Sequence, residues 1–171
     1  MEHCLELIAY NSGSSVRKEY THNYIHTYGT YMKNMTTNRS QNESFKGMKL
    51  NVWSDSDWAG CESTRRSTSG TIMCLGNSPI KFQSSTQKAR ALSSMEAEYY
   101  ALIKAASQGI GMQRMLADMG VNVEIELKCD NQSAVDFCRK TGLGKSKHIN
   151  TGLLWLQDAV ESLSLIHISE P

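Results

Sequence analysis

The sequence has no run of about 18 apolar residues, so nothing in it reads as a membrane-spanning helix. Its first residues, Met1-Glu-His-Cys4, lack a basic region ahead of an apolar stretch, which argues against a secretory signal. Five cysteines (Cys4, Cys61, Cys74, Cys129 and Cys138) form no Cys-x-x-Cys pair, disfavouring both a zinc module and a disulfide framework. The expectation is an intracellular, reduced protein, with no import signal to choose between cytoplasm and nucleus. Charge of one sign is missing too: 18 Lys and Arg stand against 17 Asp and Glu, so a nucleic-acid partner must be argued from local patches. What remains is 171 residues with 40% hydrophobic content, enough for one ordinary domain and its core.

Residues 1–47 are rich in Asn, Thr, Ser, Tyr and Lys with weak periodicity, and read as a poorly structured N-terminal extension. From Met48 the punctuation becomes regular. Strands are predicted at about 49–55, 69–75 and 80–84, joined by a turn holding Arg65 and Arg66 and by Gly76-Asn77-Ser78-Pro79. Such short connections imply an antiparallel meander. A helix is predicted from Ser93, which has capping-box spacing to Glu96. Tyr99, Leu102, Ile103, Ala106 and Ile110 form its apolar stripe. Gly109 and Gly111 predict a kink or an early end. Glu124 to Asp130 alternates as a strand with Ile125, Leu127 and Cys129 inward, and helices are expected at Gln132 to Lys140 and about Thr151 to Glu161. The order βββαβαα implies an α/β or α+β domain, a mixed sheet with helices packed on it. Met112, Met115 and Met119, at helical spacing, read as core filler.

Three carboxylates fall at comparable places. Asp55 ends the first strand in Leu50-Asn-Val-Trp-Ser-Asp-Ser-Asp-Trp-Ala-Gly60, Asp130 ends the fourth, and Glu98 lies one turn into the long helix. Glu96 and Glu98 are about 200° apart around that helix, so they leave opposite sides. If the first and fourth strands are neighbours, Asp55 and Asp130 meet at one sheet end with Glu98 above them. A divalent cation would relieve their repulsion, and a hard ion such as Mg²⁺ suits oxygen ligands. Each residue also has a plainer reading: Asp55 opening a turn, Asp130 capping the next helix, and Glu98 on a solvated helix face.

Val52-Trp-Ser-Asp-Ser-Asp-Trp-Ala-Gly-Cys-Glu-Ser-Thr-Arg-Arg-Ser-Thr-Ser-Gly70, Ser84-Ser-Thr-Gln-Lys-Ala-Arg-Ala-Leu-Ser-Ser-Met-Glu-Ala-Glu-Tyr99, Cys129-Asp-Asn-Gln-Ser-Ala134 and Lys147-His-Ile149 together resemble the ribonuclease H domain of copia-type retrotransposon Pol polyproteins. The resemblance covers about residues 48–160, and four spaced motifs in order make it specific. It implies a ribonuclease H-like fold over 48–161. It also implies two-metal hydrolysis of the RNA strand of RNA–DNA hybrids, with Mg²⁺ (or Mn²⁺) on Asp55, Glu98 and Asp130. Reverse transcriptase and integrase parts of a parent polyprotein are the implied neighbours, with no membrane partner.

The chain also departs from the family. The fourth aspartate, in a segment shaped like Asn-Pro-Ala-Asp, has no match, Asp158 sits in a different helix, and Asn150 stands where an acidic residue often follows Lys-His-Ile. Residues 162–171 read as a non-native tail on a C-terminally truncated domain. The alternative is therefore an inactive remnant that binds nucleic acid or supports a reverse transcriptase domain. For the hybrid, Arg65 and Arg66 form one basic cluster, and Arg139, Lys140, Lys145, Lys147 and His148 surround Gly142-Leu-Gly144 as a second. Ser84, Ser85, Thr86 and Gln87 are candidates for ribose 2′-hydroxyls. The plainer reading of each cluster is a solvated turn.

Overall fold

The computed structural model describes residues 47–76, 78–143, 149, 153–161 and 166–169. All of the 1–47 extension except Gly47 therefore lies outside the described residues, as do Lys145, Lys147, His148 and Asn150. Three antiparallel strands come first: β1 (Lys49–Asp57), β2 (Thr68–Leu75) and β3 (Ser78–Thr86). Helix α1 (Ser94–Asp118) crosses to β4 (Glu124–Cys129), followed by α2 (Gln132–Arg139), α3 (Trp155–Glu161) and β5 (Ile166–Ser169). The sheet order is β3-β2-β1-β4-β5, with β1 parallel to β4 and β4 parallel to β5. The meander is as the turn spacing implies, and its strands run one to four residues longer than their patterns suggest.

Alternation in β1 sends Leu50, Val52 and Ser54 under α1 and leaves Asn51, Trp53 and Asp55 on the other face. In β4, Ile125, Leu127 and Cys129 face the same helix. Tyr99, Leu102, Ala105 and Ala106 close the layer from above. Burial of each large side chain here is worth roughly 1.5–3 kcal/mol. Tyr99 also stacks edge-on against Phe137 with ring centroids 4.7 Å apart, and its hydroxyl donates to the Leu153 carbonyl at 2.8 Å. Gln157 is the second tie between helices: its amide donates to the carbonyls of Phe137 and Gly142 and accepts from the Gly142 N–H.

Two expectations are corrected, on helix α1 and on the methionines. Helix α1 neither kinks to an end nor stops at Gly109; it continues to Asp118 because Gly109 rests directly on Val52 and Ile125, where closeness to the sheet outweighs poor propensity. Met115 is exposed, so only Met112 and Met119 of the methionine series pack against the core. Residues Ile166–Ser169, inside the stretch read as a tail, pair in parallel with β4 as an edge strand, an alternation of Ile166 and Ile168 that the exposed edge of β4 can template. Arg139, assigned by sequence to a basic patch, donates to the Ile168 carbonyl at 2.9 Å. Among the described residues no helix is long and apolar enough to cross a membrane.

Gly111 differs from Gly109: it is exposed and a Cβ there would meet nothing within 4 Å. Gly111→Ala should raise unfolding stability by about 0.5–1 kcal/mol, since only helix propensity changes. Urea unfolding followed by circular dichroism checks this, and an unchanged midpoint contradicts a continuous helix.

Candidate metal centre and nucleic-acid interface

The β1–β4 register builds the site. Ser54 pairs with Cys129, and the next residues are Asp55, still within β1, and Asp130, just past the end of β4. The competing duty for Asp130 falls to its neighbour: Asn131 is the N-cap of α2, its side chain accepting from the Ala134 N–H at 3.0 Å. At the start of α1 the capping work is likewise done elsewhere. Ser93 accepts from the Glu96 N–H, while the Glu96 carboxylate accepts from the Leu92 N–H at 2.7 Å and from the Tyr100 hydroxyl. Asp130 and Glu98 are thus left without a helix-capping role.

Glu98 is 6% exposed, so the solvated-face reading does not describe it. One carboxylate oxygen accepts from both the N–H and the hydroxyl of Ser56, at 3.1 and 2.8 Å; the other accepts from the Cys129 thiol at 3.7 Å. Ligand atoms of Glu98, Cys129 and Asp130 lie within 4.8 Å of one another. Asp55 is not in that tight group, but its charge acts on Glu98 and it feels the charge of Asp130.

Burial first, and then repulsion from Asp55 and Asp130, push the Glu98 carboxyl up to about 7 despite the Ser56 hydrogen bonds. Asp55 is raised by burial, Asp130 and Asp57, against a lowering by the Ser56 N–H. Burial pushes the Cys129 thiol up to about 12. A cluster that resists its own ionisation in this way fits a cation: the donor oxygens are hard, and positive charge would remove the repulsion.

Around this end of the sheet, the predicted contact residues separate into two groups. Arg65 and Arg66 are exposed on the β1–β2 connection, where Arg65 takes a positive φ of 53° and its N–H donates to the Cys61 carbonyl. Ser84 and Thr86 are exposed, and Ser84 shares a cross-strand row with Gly70 and Asp55. Gln87 is not available to a ribose. It is buried, and its amide donates to the Ser69 hydroxyl and the Ala97 carbonyl, both at 2.9 Å, because it serves as the strut between β2 and the first turn of α1. Ser85 faces α1 and accepts from the Lys104 ammonium.

Sequence reasoning passed over Trp58, Lys88 and Arg90. Trp58 is half exposed and donates its indole N–H to the Ala91 carbonyl at 3.2 Å, joining the Arg65–Arg66 loop to the loop that carries Lys88 and Arg90, both exposed. The signal was the Lys-x-Arg spacing directly after Gln87. Ser56 was missed as well, hidden between two aspartates whose chemistry drew the attention.

A mixed sheet ordered β3-β2-β1-β4-β5, with an antiparallel meander leading through a helix into strands parallel to β1 and with carboxylates gathered where β1 and β4 end, defines a domain of ribonuclease H-like fold. Over 124 residues, 70% of its length, the chain is 34% identical to the retrovirus-related Pol polyprotein from transposon TNT 1-94 of Nicotiana tabacum, and over 127 residues 32% identical to that from transposon RE1 of Arabidopsis thaliana. The chain belongs with these copia-type retrotransposon Pol polyproteins and spans 9% of their length. Among solved structures, LC11-RNase H1 in complex with an RNA/DNA hybrid overlays at a TM-score of 0.45 with 15% identity, covering 72% of this chain and 85% of that one; the strand order, not the overlay, carries the fold assignment. No protein-family model matches the chain.

The raised Glu98 carboxyl has a pH consequence in metal-free solution. Between its ordinary value and about 7 the native state holds a proton that the unfolded chain has released, so stability falls as pH rises through that window. Glu98→Gln should flatten this decline and leave the variant more stable than the parent above about pH 7. Thermal unfolding in chelator across pH 4 to 8 measures it, and parallel curves for the two proteins would contradict the assignment.

Proposed function

We propose that this segment is a ribonuclease H-type endonuclease domain that hydrolyses the RNA strand of RNA–DNA hybrids, with Asp55, Glu98 and Asp130 holding divalent metal, Mg²⁺ or Mn²⁺. The observation that carries the reading is the convergence of three carboxylates at one sheet end while Ser93, Glu96 and Asn131 do the helix capping. Bound metal supplies activation of water and neutralisation of the charge that builds on the phosphate. The chain's own residues prepare that chemistry. Ser56 fixes the Glu98 carboxylate with two hydrogen bonds, so its orientation is set before any ligand arrives. Asp130, which is exposed, would present held metal to the phosphate, and Asp55 lies near enough for its charge and that of Asp130 to interact. No Ser-His or Cys-His nucleophile is required.

Arg65, Arg66, Lys88 and Arg90 line the outer edge of the same end and suit a phosphate backbone, giving sequence-independent binding. Ser84 and Thr86 remain the candidates for ribose hydroxyls. Lys145, Lys147 and His148 would add to this surface. The parent polyprotein's reverse transcriptase and integrase would be its neighbours in the chain.

A second reading, a remnant that binds hybrid without cutting it, has one observation in its favour. Among the described residues the group within 4.8 Å contains two carboxylates and a thiol, and Asp158, exposed on α3, is not in it.

Cleavage of a labelled RNA–DNA hybrid by the chain in Mg²⁺ or Mn²⁺ separates the two. Cutting should fall at least ~100-fold in Asp55→Asn and in Glu98→Gln, since even outer-shell partners of a metal cost up to about 100-fold. Hybrid binding without cutting in either metal assigns the remnant instead. The basic edge is tested by the salt dependence of hybrid affinity: an Arg65→Ala/Arg66→Ala variant should lower the slope of log K against log salt by about 2, at about 1 per phosphate contact. An unchanged slope removes these two residues from the interface.

A further inference from the structure

Cys129 has no part in hard-metal hydrolysis, yet its thiol lies inside the carboxylate group. The Sγ atom is 3.7 Å from Glu98, and ligand atoms of Glu98, Cys129 and Asp130 all fall within 4.8 Å of one another. Glu98 and Cys129 are buried, whereas Asp130 is exposed and opens the group to solvent. A small buried cysteine is often only a core filler. Its neighbour argues for more.

Ser54 pairs with Cys129 across β1 and β4, and both side chains take the α1 face of the sheet, where Ser56, two residues along the same strand, reaches Glu98. Ser54 is 4% exposed and its hydroxyl has no hydrogen-bond partner. A buried hydroxyl without a partner costs free energy, and here it belongs to the residue paired with Cys129 on the neighbouring strand. Magnesium gives no account of the sulfur, since it selects oxygen and water. Zinc and cadmium do: sulfur, carboxylate and an open coordination position are a familiar donor set for a borderline or soft ion.

We propose that Glu98, Cys129 and Asp130, with the Ser54 hydroxyl beside them, form a second, thiophilic mode of the metal centre that binds Zn²⁺ or Cd²⁺ in competition with the hard ion. On binding, the Cys129 S–H proton passes to solvent as the sulfur–metal bond forms, and no redox change is involved. Because Glu98 and Asp130 belong to both modes, occupation by the soft ion excludes the ion used for hydrolysis. The competition rests on the nuclease reading, but the binding does not.

Cd²⁺ titration of the whole chain under a non-thiol reductant, read by the ultraviolet thiolate-to-cadmium absorption band, tests it. One equivalent should raise the band. It should disappear in Cys129→Ser and persist in Cys61→Ser, Cys74→Ser and Cys138→Ser. Glu98→Gln, which keeps every thiol, should weaken Cd²⁺ binding at least ~10-fold. Excess Mg²⁺ should weaken it too without producing a band. Circular dichroism identifies a Cys129→Ser variant that fails to fold, and the Glu98→Gln titration then decides alone. A band that survives in folded Cys129→Ser, no band at one equivalent, or unweakened binding in Glu98→Gln each overturns the proposal. Hybrid cleavage in Mg²⁺ on the same preparation keeps the two readings apart: cutting without a band refutes only the thiol site, and a band without cutting refutes only the nuclease.

Discussion

The parallel pairing of β1 with β4 is the constraint on which the rest depends. Antiparallel neighbours could have been joined by a tight turn, but bringing the end of β4 beside the end of β1 requires a crossover, and α1 is that crossover. The helix must then lie on the sheet over Val52, Leu127 and Ile125, which is why its middle carries Gly109, close enough that a Cβ would stand 3.4 Å from Val52. Once the helix is seated, its first turns hang over the ends of the two strands, and Glu98 arrives beside Cys129 and Asp130, with Asp55 near enough for its charge to act on it. The same packing that forms the core therefore delivers the acidic group.

That delivery has a cost, which the local hydrogen bonding partly offsets. Burial first, and then the repulsion of neighbouring carboxylates, push Asp55 and Glu98 toward the protonated form. Ser56 opposes this by donating twice to Glu98, and the division of labour at the helix starts keeps the charges free of other duties. Glu96 and Glu98 illustrate the point: two residues apart on one helix, one is spent on closing the N-terminus and the other is turned into the sheet. Repulsion of this kind at a cluster that makes no ion pair among the described residues is what a ligand site looks like from the side of the protein.

Much of this was legible because period and punctuation carry it. Alternation in β1 and β4 and the Ser93–Glu96 spacing fix which faces are buried and which glutamate caps, so Asp55, Glu98 and Asp130 could be singled out from residue types alone. Other features depend on packing that no local pattern encodes. Gln87 reads as a candidate for ribose hydroxyls and is a buried strut, because its partners, Ser69 and Ala97, are brought to it by β2 and α1. The glycines of α1 read as breakers because propensity is local, whereas the contact that favours Gly109 comes from a distant strand. Ile166–Ser169 carried no family likeness, and a free parallel edge can recruit a short apolar alternation whatever its origin.

Cys129 shows how two requirements meet in one position. On the strand it must be small and apolar enough to face α1 beneath Glu98, and burial to 1% satisfies that. Any residue there also stands next to the carboxylates, since Glu98 and Asp130 place ligand atoms within 4.8 Å of its own and Asp55 follows its partner Ser54. A valine or alanine would meet the packing need and leave the site purely oxygen-lined. A thiol meets it while adding a soft donor beside an unpartnered hydroxyl, so the ion preference of the pocket is set by a residue whose first role is in the core. The boundary between core and site in this fold thus runs through single side chains, and substitutions at Ser54 and Cys129 act on packing and on metal choice together.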